Sequence, residues 1–333
     1  MKKAVKLSLF MLLAFSLVLA ACGNKNSAGG VKVGMVTDTG GVNDKSFNQT
    51  SWEALEALKK DGKVGDIKYL QSKSNADYEP NLNEFIKGGY DLTWGIGFAL
   101  AEAVQKVAGQ NPDAKLAIID GAVDAPNVES VLFAENEGAF LVGVVAGLTT
   151  KTNKIGFVGG MEVPTIQKFE VGFKAGIEAV NPDAKFTPIY ASGFDKPDEG
   201  KAAAATLYDS GADIVFQAAG GTGTGVFNEA LDRFKTGKKV WVIGVDKDQS
   251  LEFGNDVTLT SMIKRVDVAI KTVSEQVVDG TFKGGQTTTL SLKDDGVGIA
   301  DTSKANVPQD VLDKVEDYKA KIVSGEIKVP TVE

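Results

Sequence analysis

Five short segments carry side chains able to serve a ligand. The first, Asp38-Thr-Gly-Gly-Val-Asn-Asp-Lys-Ser-Phe-Asn48, groups carboxylates, amides and an aromatic ring around two glycines. Glycines after an apolar run read as a strand-to-helix turn, with Asn43 or Asp44 capping the helix through its short polar side chain. Phe47 needs a different explanation. At about 100° per residue it lies roughly 80° from the centre of the Trp52–Leu55–Leu58 stripe, off the face a core would take. A ring in the first helical turn, at the rim of a cleft, suits stacking on a flat ligand; a place in the core is the competing reading.

The second segment, Gly220-Gly-Thr-Gly-Thr-Gly225, looks like a phosphate loop, but a Walker loop ends in Gly-Lys-Ser/Thr and here Val226 and Phe227 follow. A dinucleotide fingerprint wants an acid about 20 residues on, where Asp246 stands, yet this loop lies late in the chain. Glycines that let the backbone approach a sugar fit better. The third, Asp246-Lys-Asp-Gln249, is no EF-hand, because Leu251 and Val257 stand where that loop needs Gly and Glu. An Asp at a strand end accepts from vicinal hydroxyls, as the acid of a dinucleotide fold does for ribose, or else caps a turn. Lys264-Arg265, after the extended Val257–Ile263, bring a cation to the same hydroxyls or are surface charge. The fourth and fifth segments are Gly95–Phe98 and Asp120, each closing an apolar run.

What is absent narrows the chemistry. The 333 residues include no His, which removes Ser-His-Asp and Cys-His catalysis and the commonest metal ligand. One Cys excludes an intrachain disulfide and any thiolate cluster, and no metal site or cofactor is expected. With 36 Lys and Arg against 44 Asp and Glu the formal charge is −8, which argues against nucleic acid. Lys2, Lys3 and Lys6 precede an uncharged apolar run from Leu7 to Ala20, shorter than the roughly 20 residues of a membrane span, so residues 1–21 read as an export signal. Leu19-Ala20-Ala21-Cys22 resembles a bacterial lipobox, which implies cleavage before Cys22 and acylation of its sulfur. Residues 22–30, small and polar, read as a tether.

The elements that must position these groups alternate. β-rich runs at Lys32–Asp38, Ile67–Gln71, Asp91–Gly95, Lys115–Asp120, Lys154–Gly160, Asp213–Ala218 and Lys239–Asp246 are separated by helical patterns such as Asp44–Lys60 and Asn136–Thr149. This is α/β throughout, with mostly parallel sheets and crossover helices. A chain of this length accommodates two Rossmann-like lobes facing across a cleft, with ligands beyond the carboxyl ends of the strands. That rule selects Asp38 to Asn48, Gly95–Phe98, Asp120, Phe216 to Gly225 and Asp246–Asp248.

Together the segment Asp38–Gln49, Asn136-Glu-Gly-Ala-Phe-Leu-Val-Gly143, Gly156-Phe-Val-Gly-Gly-Met161, Ala218-Ala-Gly-Gly-Thr-Gly223 and Val245–Gln249 resemble the basic membrane protein family of bacterial lipoproteins, which includes purine nucleoside receptors of the PnrA type. The resemblance covers essentially the whole chain after Cys22. It implies a type I periplasmic-binding-protein fold, two lobes joined by three crossovers near Phe133–Glu137, Thr260–Ile263 and Ser291–Lys293. The lobes are then 31–135 with 262–292, and 136–261 with 293–333.

It also implies a lipid-anchored, extracytoplasmic binding component of an ATP-binding-cassette importer, not an enzyme, with permease and ATPase subunits as partners. The expected ligands are purine nucleosides: inosine, guanosine, adenosine. By resemblance Phe47 and Phe216 sandwich the base, with Phe227 a rival for the second place. Asp120 reads the base, and Asp246 and Lys264 hold ribose beside the Gly220–Gly221 backbone. The candidate set is Asp38, Asn43, Asp44, Phe47, Asn48, Phe98, Asp120, Phe216, Gly220, Gly221, Asp246 and Lys264, with Cys22 for the lipid. Competing readings are a receptor for a sugar or other small hydroxylated ligand, and an exported nucleosidase, which needs an acid and a base flanking the glycosidic bond.

Overall fold

Alternating apolar runs and amphipathic helices fold into two sheets of the same design. The computed structural model describes residues 30–332; the expected leader, Cys22 and the tether as far as residue 29 lie outside the described residues. The strands are β1 (Lys32–Thr37), β2 (Asp66–Gln71), β3 (Leu92–Ile96), β4 (Leu116–Ile119), β5 (Val128–Phe133), β6 (Lys154–Gly159), β7 (Lys185–Tyr190), β8 (Ile214–Ala218), β9 (Trp241–Asp246), β10 (Thr258–Lys264), β11 (Thr287–Leu290) and β12 (Val297–Ile299). The helices are α1 (Phe47–Lys60), α2 (Tyr78–Lys87), α3 (Ala101–Gln110), α4 (Glu135–Thr149), α5 (Pro164–Val180), α6 (Pro197–Asp209), α7 (Gly223–Lys235), α8 (Ser250–Phe253), α9 (Val266–Val278) and α10 (Gln309–Val323).

One sheet has the order β11-β5-β4-β3-β1-β2 and the other β12-β10-β9-β8-β6-β7. Every pairing is parallel except β10 with β12. The two orders are the same path walked twice. In each, the crossover direction reverses beside the first strand, between β1 and β3 and between β6 and β8, which opens a crevice at the carboxyl ends. Parallel strands covered on both faces must be apolar throughout, and β3, β4 and β8 are buried at every residue.

The chain passes between the sheets three times: from β5 through α4, from β10 through α9 to β11, and from β11 to β12. Backbone bonds knit these passages, with Ala134 N donating to Leu290 O at 2.9 Å and Arg265 N to Gly296 O at 2.8 Å. β9 pairs with β10 as far as Ile263, and β12 as far as Lys264. The second passage therefore starts after Lys264, later than the Thr260–Ile263 stretch expected from sequence, and residues 262–264 sit with the second sheet. One core runs through both halves, from Met35, Trp94 and Ile119 to Phe157, Phe173 and Phe216, and from Val31 onward the chain is one compact unit.

Candidate functional site

The turn after β1 is built around two carboxylates. Asp44 accepts from the N–H groups of Ser46 (2.9 Å), Asn48 (2.8 Å) and Gln49 (3.1 Å), so it satisfies the free donors at the start of α1. It also takes Asn48 Nδ2 at 3.0 Å. Asp44, rather than Asn43, does the capping; Asn43 is exposed and stays out of the cavity described below. Asp38 Oδ1 accepts from Gly40 N and Asn48 Nδ2, both at 2.9 Å. Burial, then the charges of Asp44 and Asp120, push the Asp38 carboxyl up to about 7 against these bonds. Phe47, the first residue of α1, is thereby set at the mouth of the crevice.

Each sheet then contributes an Asp at the end of its fourth strand. Asp120 follows β4 with φ +64°, and Asp246 ends β9 with φ +66°. Non-glycine residues pay for this left-handed conformation, Asp less than most, and the turn swings both carboxylates into the crevice. Lys264, last residue of β10 and 2% exposed, reaches across to Asp120 Oδ2 at 2.6 Å and to Glu135 Oε1 at 3.0 Å. Its Nζ also stands 5.2 Å from the ring centre of Phe47, 5.0 Å from Phe133 and 5.7 Å from Phe169. Burial opposes the ammonium charge, yet Asp120, Glu135 and Asp246 together raise its pKa, so it is a permanent cation. Asp246 accepts from the Ser46 hydroxyl. Burial first, with the Asp44 and Asp120 charges, pushes the Asp246 carboxyl to about 7 although Lys264 and Ser46 favour its ionised form.

These groups meet in one cavity. Its wall takes in Asp38, Asp44, Phe47, Asn48, Phe98, Asp120, Gly220, Asp246 and Lys264 from the sequence-derived set. Phe216 is not on it. That ring is fully buried among Phe157, Phe169 and Phe173, with centroids 5.6, 6.3 and 4.9 Å away. Phe227 stacks on Phe253 at 4.0 Å within the core of the second half. The second half instead presents Ile166, Phe169, Phe194, Ala218, Ala219 and Val245. Phe194 lies edge-on to Phe98, with centroids 6.1 Å apart.

The glycine loop divides its duties. Gly220, at φ +54°, lines the cavity, whereas a Cβ on Gly223 or Gly225 would collide with Gln217 or the Pro197 carbonyl. The later glycines therefore serve the packing of α7 against α6 and β8. Gly221 is absent from the wall and faces Gly40 across the crevice, where a Cβ would lie 3.9 Å from Gly40 O.

The polar inventory leans towards acceptors. Among the described residues, Asp120 Oδ1 and Asn48 Oδ1 are buried without a partner, and Lys264 is the sole lysine or arginine on the wall. Such a site favours a ligand with several O–H or N–H donors and a flat face. Among the described residues no group of three or more Cys, Asp or Glu is placed to hold a metal. The free space within this wall is about 50 Å³, below the ~300–1,000 Å³ of typical ligand sites, so the two halves stand too close together here for a ligand of that size. Direct contacts now bridge them: Ser46 to Asp246, Gln249 Nε2 to Lys45 O at 2.9 Å, and Lys247 Nζ to Glu53 at 3.1 Å.

A family model described as "ABC transporter substrate-binding protein PnrA-like" matches residues 31–333. The chain is 46% identical, over 99% of both chains, to a "CD4+ T-cell-stimulating antigen" of Listeria monocytogenes. It is 41% identical to the "ABC transporter nucleoside-binding protein BmpA" of Lactococcus lactis, over 99% of this chain and all of that one. A solute-binding protein of an ABC transporter system from Aeropyrum pernix superposes with a TM-score of 0.84 at 30% identity, covering 91% of this chain and 94% of its own. The fold is that of type I periplasmic binding proteins, and no described helix is long and apolar enough to cross a membrane. The chain belongs to the PnrA-like family of ABC transporter substrate-binding proteins, which are not enzymes.

Proposed function

We propose that this protein captures purine nucleosides for an ABC importer, holding them between the two lobes while anchored through Cys22 to the extracytoplasmic face of the membrane. The observation that carries the reading is the pairing within one cavity of aromatic rings with unpartnered acceptors around a buried ammonium. Phe47 covers one face of the base, and Phe169 or Phe194 of the opposite lobe covers the other. Asp120 accepts from ring N–H, while Asp246 and Lys264 hold the ribose hydroxyls. The Lactococcus lactis relative named as nucleoside-binding supports the ligand class.

The mechanism is hinge closure: a ligand touching both lobes favours the closed state by its differential affinity, and the closed surface is presented to permease and ATPase subunits. Protein purified under native conditions and then denatured should release a purine nucleoside, identified by mass spectrometry. Release of a sugar instead would favour the competing receptor. Cys22→Ser should free the protein from the membrane fraction, because a single thioether lipid anchor is the proposed attachment; unchanged retention would refute the anchor.

A further inference from the structure

Glu135 is absent from the cavity wall, yet it is one of the most deeply buried acids of the chain, 2% exposed. It opens α4, directly after β5, where the first passage between the lobes begins. An acid in the first turn of a helix complements the helix dipole, but that role needs no burial. Instead Oε1 accepts from Lys264 at 3.0 Å, and Oε2 has no hydrogen-bond partner, with Lys168 Nζ of α5 at 3.9 Å. Lys264 in turn ends β10, where the second passage begins. The Glu135–Lys264 pair therefore ties two of the three hinge passages at the floor of the ligand site. Glu137, two residues on, accepts from Leu292 N of the third passage at 3.0 Å.

An ammonium has three N–H donors. With one given to Asp120 Oδ2 and one to Glu135 Oε1, one donor remains for a ligand, at an ammonium that lines the cavity beside the Phe47 and Phe169 rings. Glu135 thus sets the rotation of the Lys264 head group, and it does so from the hinge side. We propose that Glu135 is a positioning residue for ligand binding: it aims the Lys264 ammonium at the ligand and couples that aim to the hinge. The proposal rests on the nucleoside reading for its choice of probe.

The test uses the full chain with inosine, measuring dissociation constants and thermal midpoints for wild type, Glu135→Gln, Glu135→Asp and Lys264→Met. The expected result is a tenfold or greater loss of inosine affinity in Glu135→Gln protein that still folds, with a smaller fall in midpoint than Lys264→Met gives and partial recovery of affinity in Glu135→Asp. Affinity within twofold of wild type in Glu135→Gln, or Glu135→Asp no better than Glu135→Gln, would overturn it. If Glu135→Gln does not fold, Glu135→Asp decides, since a threefold or larger loss supports the assignment and an unchanged affinity refutes it. Should the wild type take no inosine, the nucleoside reading fails, and the positioning claim is read from ligand-free crystal structures of wild type and Glu135→Asp. A displaced Lys264 Nζ supports it, and an unmoved one refutes it.

Discussion

The two halves walk the same strand order and end their fourth strands on the same residue in the same unusual conformation, yet they furnish the site differently. The first supplies most of the carboxylates and amides, Asp38, Asp44, Asn48 and Asp120, with the rings of Phe47 and Phe98; the second supplies a mostly apolar wall of Ile166, Phe169, Phe194 and Val245, with Asp246 and Lys264 as its charged groups. The two aspartates also find their partners crosswise. Asp120 of the first sheet is answered by Lys264 of the second, and Asp246 of the second by Ser46 of the first. Each carboxylate thus takes a hydrogen bond from the opposite half, while the charge of Lys264 also favours the ionised form of Asp246 within its own half. The topology repeats because it builds a crevice; the furnishing of that crevice does not repeat.

The strongest way to break this crosswise arrangement is Lys264→Met. It leaves Asp120, Glu135 and Asp246 without their cation, and removing one partner of a buried pair costs about 3–5 kcal/mol of stability. Urea unfolding at pH 7 should show that loss, together with loss of inosine binding; wild-type stability would mean that the carboxylates find water instead. Next come the rings. Phe47→Ala should weaken inosine by about 1–3 kcal/mol with the fold intact, and whichever of Phe169→Ala and Phe194→Ala matches it marks the opposing plate. Phe216→Ala should act oppositely, lowering stability by about 3–5 kcal/mol through a core cavity.

A subtler contrast lies in protonation. Asp38 and Asp246 hold protons up to about pH 7 in the folded protein against 3.8 when unfolded. The native state therefore binds the extra protons between those values, and stability falls as the pH rises through that window. Asp246→Asn should flatten this fall and raise the free protein's midpoint at pH 7, while lowering nucleoside affinity. A ligand that donates to these carboxylates favours their ionised forms, so inosine should bind more tightly as the pH rises from 5 to 7, with proton release seen by calorimetry in buffers of different ionisation heat. The smallest effect belongs to the contact of Lys247 with the half-exposed Glu53 between the lobes, where Glu53→Ala should cost under about 1 kcal/mol of closed-state stability.

Much of the first lobe's contribution was legible because its groups follow strands with clean apolar runs: Asp38 after β1, Phe98 after β3 and Asp120 after β4. The second lobe's wall was not. β7 is an edge strand, partly exposed along its length and interrupted by Pro188, so its apolar signal is weak, and the Phe194 loop beyond it escaped the rule that selected the other strand ends. Phe169 hides in a helical stripe with Ile166, Phe173 and Ile177, where nothing in the spacing separates the turn that faces the crevice from those that face the core. Phe216 misled for the complementary reason. It lies in a strand buried on both faces, where side-chain direction cannot be read from apolarity. Glu135 carried no signal beyond an acid at a helix start, since its importance arises from Lys264, far along the chain.

Calorimetric titration of wild type with inosine, hypoxanthine and ribose tests the central claim most directly. If Asp246 and Lys264 hold the sugar while aromatic rings and Asp120 hold the base, a ligand lacking either half leaves buried polar groups or rings unmet. Inosine should then bind at least tenfold more tightly than hypoxanthine, and ribose more weakly still. Equal affinity for inosine and hypoxanthine, or no heat with any of the three, would contradict the account.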